Sequence, residues 1–263
     1  MTHSRAAGFS AGDTVAGSGP WRRRFAAPAA GFRKIVGGTE AVPISAHLGV
    51  IGGTGLSAYL PIKHIGQPQP GETVFVSGAA GAVGSVACQI CRIMGCKVVG
   101  SAGTPEKVEW LRSLGVAAFN YKTGSLSASL ASLCPDGIDV YFDNVGGEML
   151  DAALELMNTD GRIIACGGIS GYNAADKSQI YGLKNYMAIV RSQLRYQVRN
   201  PLRFPPRAVH GYSIVCVWGS YMGNSTGIHR HEMASGVPAG AGAAAALDGG
   251  WRDRPRGDGD GGL

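Results

Sequence analysis

Charge is scarce in this sequence and long apolar runs are missing. Of 263 residues only 16% are Asp, Glu, Lys or Arg. No uninterrupted apolar stretch nears the ~18 residues needed to span a bilayer. The start Met1-Thr2-His3-Ser4 lacks the charged-then-apolar order of a secretory leader. Cysteine is too thin for a disulfide framework: six residues, at 88, 91, 96, 134, 166 and 216, spread over a long chain. These absences lead us to expect a soluble, cytoplasmic protein in a reducing compartment. The net charge of +6 draws on the run Arg22-Arg23-Arg24 and on arginines near the C-terminus. No coherent basic face follows, so neither nucleic acid nor a membrane surface is an expected partner.

What is present can build a core. Hydrophobic residues make up 45% of the chain, enough for one large domain or two small ones. Glycine (42) and proline (13) are abundant but unevenly spread, which separates ordered from loose parts. Residues 71–166 alternate short β-rich runs with helical stretches, the rhythm of a doubly wound parallel sheet. Strands are predicted at residues 73–76, 97–100, 117–120, 138–142 and 162–166. Helices are predicted at residues 82–94, 104–114, 126–133 and 148–157. Gly95 should cap the first helix and Thr104-Pro105-Glu106 should start the second. Residues 44–65 are apolar and expected to be helical around glycine breaks, and residues 1–42 read as loops and edge strands.

Between the first strand and first helix stands Ala79-Ala80-Gly81-Ala82-Val83-Gly84, a dinucleotide fingerprint with Ala for its first glycine. The absence of bulk at Gly81 and Gly84 lets a pyrophosphate approach backbone N–H groups at the positive end of the helix. A merely structural turn is the competing reading. An NAD site carries an acid at the end of the second strand, to bind the ribose hydroxyls. Here that place reads Gly100-Ser101-Ala102-Gly103, without a carboxylate. Lys107 follows near a helix start and could face a 2′-phosphate, so NADPH is the expected cofactor; an ordinary surface lysine is the alternative. Cys88 and Cys91 form a C-x-x-C inside a helix with no second ligand pair at finger spacing, and core packing is expected rather than metal. His47 and His64 also lack partners at ligand spacing. His229 and His231, and the tripeptide Arg256-Gly257-Asp258, fall in a Gly-rich region and carry no expected role.

Several longer words carry a resemblance. They are Gly66-Gln67-Pro68 through Gly71-Glu72-Thr73, Val76-Ser77-Gly78 through Gly84-Ser85, Gly95-Cys96-Lys97-Val98-Val99-Gly100 and Glu106-Lys107. Further along come Phe119-Asn120-Tyr121-Lys122, Tyr141-Phe142-Asp143-Asn144-Val145-Gly146-Gly147 and Cys166-Gly167-Gly168-Ile169-Ser170-Gly171-Tyr172-Asn173. The stretch resembles the zinc-independent prostaglandin reductase, plant double-bond reductase and 2-alkenal reductase group of the medium-chain dehydrogenase/reductase superfamily. The likeness covers about residues 43–197, with a fainter extension through residues 8–35.

The resemblance implies an incomplete NADP-binding Rossmann domain over residues 43–197, preceded at 1–42 by the remnant of a GroES-like catalytic β domain. After Gln197 the family pattern ends, and residues 198–263 are expected to form an unrelated, disordered tail. The implied activity is NADPH-dependent reduction of the C=C bond of α,β-unsaturated aldehydes or ketones, with no metal. Implied cofactor contacts are Gly81, Ala82, Val83 and Gly84 at the pyrophosphate, and Lys107 and Tyr121 at the adenosine phosphate. Asn144 and the loop Cys166, Gly167, Gly168, Ile169, Ser170, Gly171 and Tyr172 lie along the nicotinamide half. Tyr172 is the implied catalytic hydroxyl, with a loop tyrosine bonded to backbone as its alternative. Family members pair, so a homodimer is implied. A quinone reductase of the same superfamily and a non-catalytic NADPH-binding remnant are the competing functions.

Overall fold

The computed structural model describes residues 1–20, 22–36 and 42–198. The tail expected beyond Gln197 therefore lies, apart from Val198, outside the described residues. Near the start, β1 (Val15–Gly17) and β2 (Phe32–Lys34) pair antiparallel as a two-stranded sheet. This is where edge strands were expected. The apolar segment that follows is helical: α1 runs Gly53–Pro61 and continues into a π-type turn, Ile62–Gly66, closed by the Gln67 N–H on the Ile62 carbonyl at 2.7 Å. Pro61 has no N–H to give to the regular ladder, and the wider turn begins directly after it.

From here strands and helices alternate. They are β3 (Thr73–Val76), α2 (Ala82–Ile93), β4 (Lys97–Ala102), α3 (Pro105–Ser113), β5 (Ala117–Asn120) and α4 (Leu126–Leu133). Then come β6 (Ile138–Asp143), α5 (Gly147–Leu156), β7 (Met157–Ala165), α6 (Met187–Arg191) and β8 (Arg195–Gln197). The strands form one six-stranded parallel sheet in the order β5-β4-β3-β6-β7-β8. Counted from β3, that is the 3-2-1-4-5-6 order of a dinucleotide fold. The sequence places the first three strands and their helices closely. Thr104 caps α3 by accepting from the Lys107 N–H at 3.4 Å, and Gly95 turns out of α2 at φ +83°.

The differences lie on one side. β7 starts at Met157, directly where α5 ends, and reaches its expected residues only through a register shift against β6, with Asp160 at φ +61°. In the sequence Met157 ends the predicted helix, and Asn158-Thr159-Asp160-Gly161 fall between the predicted elements. α6 and β8 are short and were not anticipated.

All four residues of β3 are buried, because both faces of the sheet are covered. Val74 and Val76 pack with Ala87, Cys88 and Cys91 of α2 and Ala58 of α1. Phe75 faces the other way, into a core with Leu130, Leu154 and Ile163, and its ring stacks on Tyr141 at 4.9 Å. Each such side chain stabilises the fold by about 1.5–3 kcal/mol.

At the amino end of the sheet Arg162 of β7 reaches Glu72, just before β3. Its Nη1 lies 2.9 Å from Glu72 Oε1, and its Nε donates to the Gly66 carbonyl at 3.0 Å. The side chains are 11% and 24% exposed, so solvent screens the pair weakly. Glu72→Gln should lower the unfolding free energy by about 1–3 kcal/mol, read as a shift of the urea midpoint at unchanged slope.

Candidate functional site

In an open parallel sheet a ligand crevice opens outside the carboxyl ends of the two strands whose crossover helices leave in opposite directions. Those strands are β3 and β6. The turn after β3 holds the fingerprint, and α2 begins at Ala82 with Gly81 as its N-cap residue and no side-chain cap. The amides of that first turn thus have no side-chain acceptor, and the helix dipole leaves them positive. A Cβ built on Gly84 would stand 2.4 Å from the Gly78 carbonyl oxygen and 2.9 Å from the Ala79 Cα. Only glycine lets α2 sit this close to the end of β3. A dinucleotide pyrophosphate fits this cradle: uncapped amides, a positive helix end, and exposed Gly81 and Ala82.

The end of β6 is tied to the end of β3 by a buried network that the sequence reading did not single out. Ser77, Tyr141 and Asp143 are each at most 1% exposed. Asp143 Oδ1 accepts from the Tyr141 hydroxyl (2.7 Å), the Ser77 hydroxyl (3.3 Å) and the N–H groups of Val145 (2.9 Å) and Gly146 (2.8 Å). Ser77 Oγ in turn accepts from the Asn144 N–H at 2.9 Å, and Asn144 Nδ2 donates to the Ser77 carbonyl at 2.7 Å. Burial pushes the Asp143 carboxyl above the usual carboxylate range, against the lowering effect of these donors. The Tyr141 hydroxyl is pushed well up, first by burial and then by the neighbouring Asp143 charge. Tyr141 and Asp143 are two residues apart on a strand and so share a face, a signal that was readable in the sequence.

The loop after β7 is clipped onto the same strand end. The N–H groups of Cys166 and Gly167 donate to the Asp143 carbonyl at 2.9 and 3.0 Å, and those of Ile169 and Ser170 donate to the carbonyls of Asn144 and Val145 at 3.2 and 3.1 Å. Gly146 turns at φ +67°, with the Gly168 Cα 3.4 Å from where its Cβ would be, so the two loops meet backbone to backbone. The Tyr172 hydroxyl accepts from the Gly168 N–H at 3.1 Å, the geometry of the backbone-bonded alternative.

Expected residues 81–84, 144 and 166–172 therefore surround the ends of β3, β6 and β7. Lys107 and Tyr121, expected at the adenosine phosphate, lie around the ends of β4 and β5. Lys107 is exposed on the first turn of α3. The Tyr121 N–H donates to the Ala102 carbonyl at 3.1 Å, and the Tyr121 hydroxyl lies 3.2 Å from where a Gly103 Cβ would stand. Lys122, not named beforehand as a contact, flanks the same glycine with its Cε at 3.2 Å and lies over the Tyr121 ring at 6.0 Å. The C-x-x-C cysteines are buried in the core, where desolvation pushes Cys88 up to about 12 and Cys91 upward as well.

Residues 82–202 match the family model for the zinc-binding dehydrogenase. The chain is 47% identical over 176 residues to prostaglandin reductase 1 of Mus musculus, covering 66% of this chain and 54% of that protein. It is 47% identical over 159 residues to the NADP(+)-dependent 2-alkenal reductase of Nicotiana tabacum, covering 59% of this chain and 46% of the relative. Among solved structures, CurA of Vibrio vulnificus in complex with NADPH superposes with a TM-score of 0.59 at 36% identity, over 64% of this chain and 51% of that one. The chain thus spans about half the length of the curated relatives it matches. Among the described residues no group of three or more His, Cys, Asp or Glu side chains could hold a metal ion. Nor is any helix among them long and apolar enough to cross a membrane.

The cradle is testable without any assay of turnover. Gly84→Ala should cost about 1–3 kcal/mol of stability, because a methyl meets backbone rather than a flexible side chain; a thermal melt matching the parent would refute the close packing. The strand order, the glycine-cradled turn and these likenesses together make residues 82–202 similar to the zinc-binding dehydrogenase domain of the medium-chain dehydrogenase/reductase superfamily.

Proposed function

We propose that this chain binds NADPH across the carboxyl ends of β3 and β6 and serves the reduction of the C=C bond of an α,β-unsaturated aldehyde or ketone. The observation that carries the reading is the uncapped first turn of α2 lying against the Gly78 carbonyl through Gly84. Likeness to a prostaglandin reductase and a 2-alkenal reductase supports the choice of substrate class. When bound, the nicotinamide supplies a hydride to the β-carbon of the enone, and the α-carbon then takes a proton.

The protein's own part is binding and charge placement. The N–H groups of Ala82, Val83 and Gly84 hold the pyrophosphate at the positive helix end. Lys107 and Tyr121 take the 2′-phosphate, where an ammonium and a phenol offer donors and the end of β4 carries no carboxylate. Asn144 and the loop of residues 166–172 border the nicotinamide half. With NADPH bound, the Tyr172 hydroxyl, which accepts from the Gly168 N–H, would steady the ribose or donate toward the oxygen on which charge collects.

Two measurements check this. In a fluorescence titration, NADPH should bind at least about tenfold tighter than NADH, and Lys107→Ala should remove most of that preference, since a charge-assisted contact contributes about 1.5–3 kcal/mol. Equal affinities in the parent protein would refute the phosphate assignment. In an absorbance assay with a panel of enals, enones and quinones, NADPH should be consumed with enals or enones. Consumption with quinones alone would favour the quinone reductase reading, and binding without turnover the non-catalytic one.

A further inference from the structure

The Asp143 network is more than a strand tie, and the inference drawn from it rests on the cofactor reading above. We propose that Asp143 is a positioning residue, fixing the two loops that form the nicotinamide side of the crevice relative to the fingerprint turn so that NADPH meets a preformed site. Its one oxygen, Oδ1, gathers donors from three separate places: the end of β3 through Ser77, the strand β6 through Tyr141, and the turn after β6 through the amides of Val145 and Gly146. Its backbone carbonyl takes the amides of Cys166 and Gly167, where the loop after β7 begins. A single residue thus sets the spacing between the fingerprint turn, the residue 143–147 turn and the residue 166–172 loop. The side chain is 1% exposed, so it does not touch the cofactor and acts only through what it holds.

Burial raises the Asp143 carboxyl above its unfolded value. The favourable contribution of a raised carboxyl exists below the unfolded pKa and is lost as pH rises through the folded one. Desolvation disfavours the ionised form, and the four donors offset part of that cost while they fix the geometry. An apolar residue of like size would pack the same space but leave the Val145 and Gly146 amides and the Tyr141 hydroxyl without their shared acceptor. Catalytic and binding constellations depend on such support, because a loop displaced by about an ångström forfeits much of its binding.

The experiment measures NADPH affinity, by the fluorescence change of the cofactor, alongside thermal stability. Four full-length variants are compared with the parent: Asp143→Asn, Asp143→Ala, Tyr141→Phe and Glu72→Gln. Asp143→Asn keeps one oxygen that can accept and should lose affinity about tenfold, Asp143→Ala more, and Tyr141→Phe about threefold while keeping its ring stacked on Phe75. Glu72→Gln, at the opposite end of the sheet, should lose stability and keep its affinity. That split is what a purely structural role would not give. If Asp143→Asn and Tyr141→Phe bind NADPH as the parent does, or lose no more affinity than Glu72→Gln, the positioning role is refuted while the cofactor reading stands. If the folded parent binds no NADPH, the cofactor reading falls and this role with it.

Discussion

The parallel pairing of β3 with β6 is the contact on which the rest of the structure depends. From β3 the chain winds outward through α2 to β4 and β5, and it then returns to place β6 on the other side of β3. The two halves leave the centre in opposite directions, so no crossover covers the strand ends there. Ser77, whose N–H donates to the Phe142 carbonyl at 3.1 Å, carries this pairing one residue past β3 itself. The residues proposed for the pyrophosphate and nicotinamide halves follow one of these two ends or, in the loop after β7, are clipped to the end of β6.

Packing and site are coupled at the same place. Gly84 lets α2 approach β3, exposed Gly81 adds no bulk at the start of its first turn, and the apolar face of α2 that buries Ala87, Cys88 and Cys91 holds the helix in that pose. A substitution that pushes α2 away would lose dispersion contacts in the core and shift the amides in the crevice together. The fold therefore does not merely carry the site; the helix position that fills the core is the one that aims the donors.

Strands buried on both faces were the easiest features to read, because Thr73-Val74-Phe75-Val76 and the run at residues 138–142 are nearly unbroken apolar stretches of strand length. The fingerprint turn was legible because glycine and alanine spacing reports a backbone requirement directly. β7 was read late because Asn158, Asp160 and Gly161 are turn formers, and the strand accommodates them through an irregular register rather than by avoiding them. β8 and α6 left no pattern: β8 pairs on one side only and its residues are exposed, so no alternation marks it. Asp143 had no role assigned from the sequence, since its hydrogen-bond partners in Ser77 and the loop after β7 lie far away in the chain. Long-range polar contacts of this kind leave no local period.

The two ends of the crevice are built on different principles, and that difference bears on what each can discriminate. On the nicotinamide side the loops are fixed by backbone amides donating to the Asp143, Asn144 and Val145 carbonyls, and by a buried carboxylate beneath them. Such donors have one geometry and little freedom to adapt. On the adenosine side the candidate groups are exposed side chains, Lys107, Tyr121 and Lys122, with Gly103 between the last two and the end of β4. Lysine side chains on flexible stems adjust to a phosphate at little strain, but their attraction is screened by salt. On the proposed reading, the choice between NADPH and NADH therefore rests on adaptable charge, while the orientation of the reacting ring rests on rigid backbone. A buried carboxyl that is costly to desolvate is intelligible on the rigid side, where a fixed acceptor orders three segments at once.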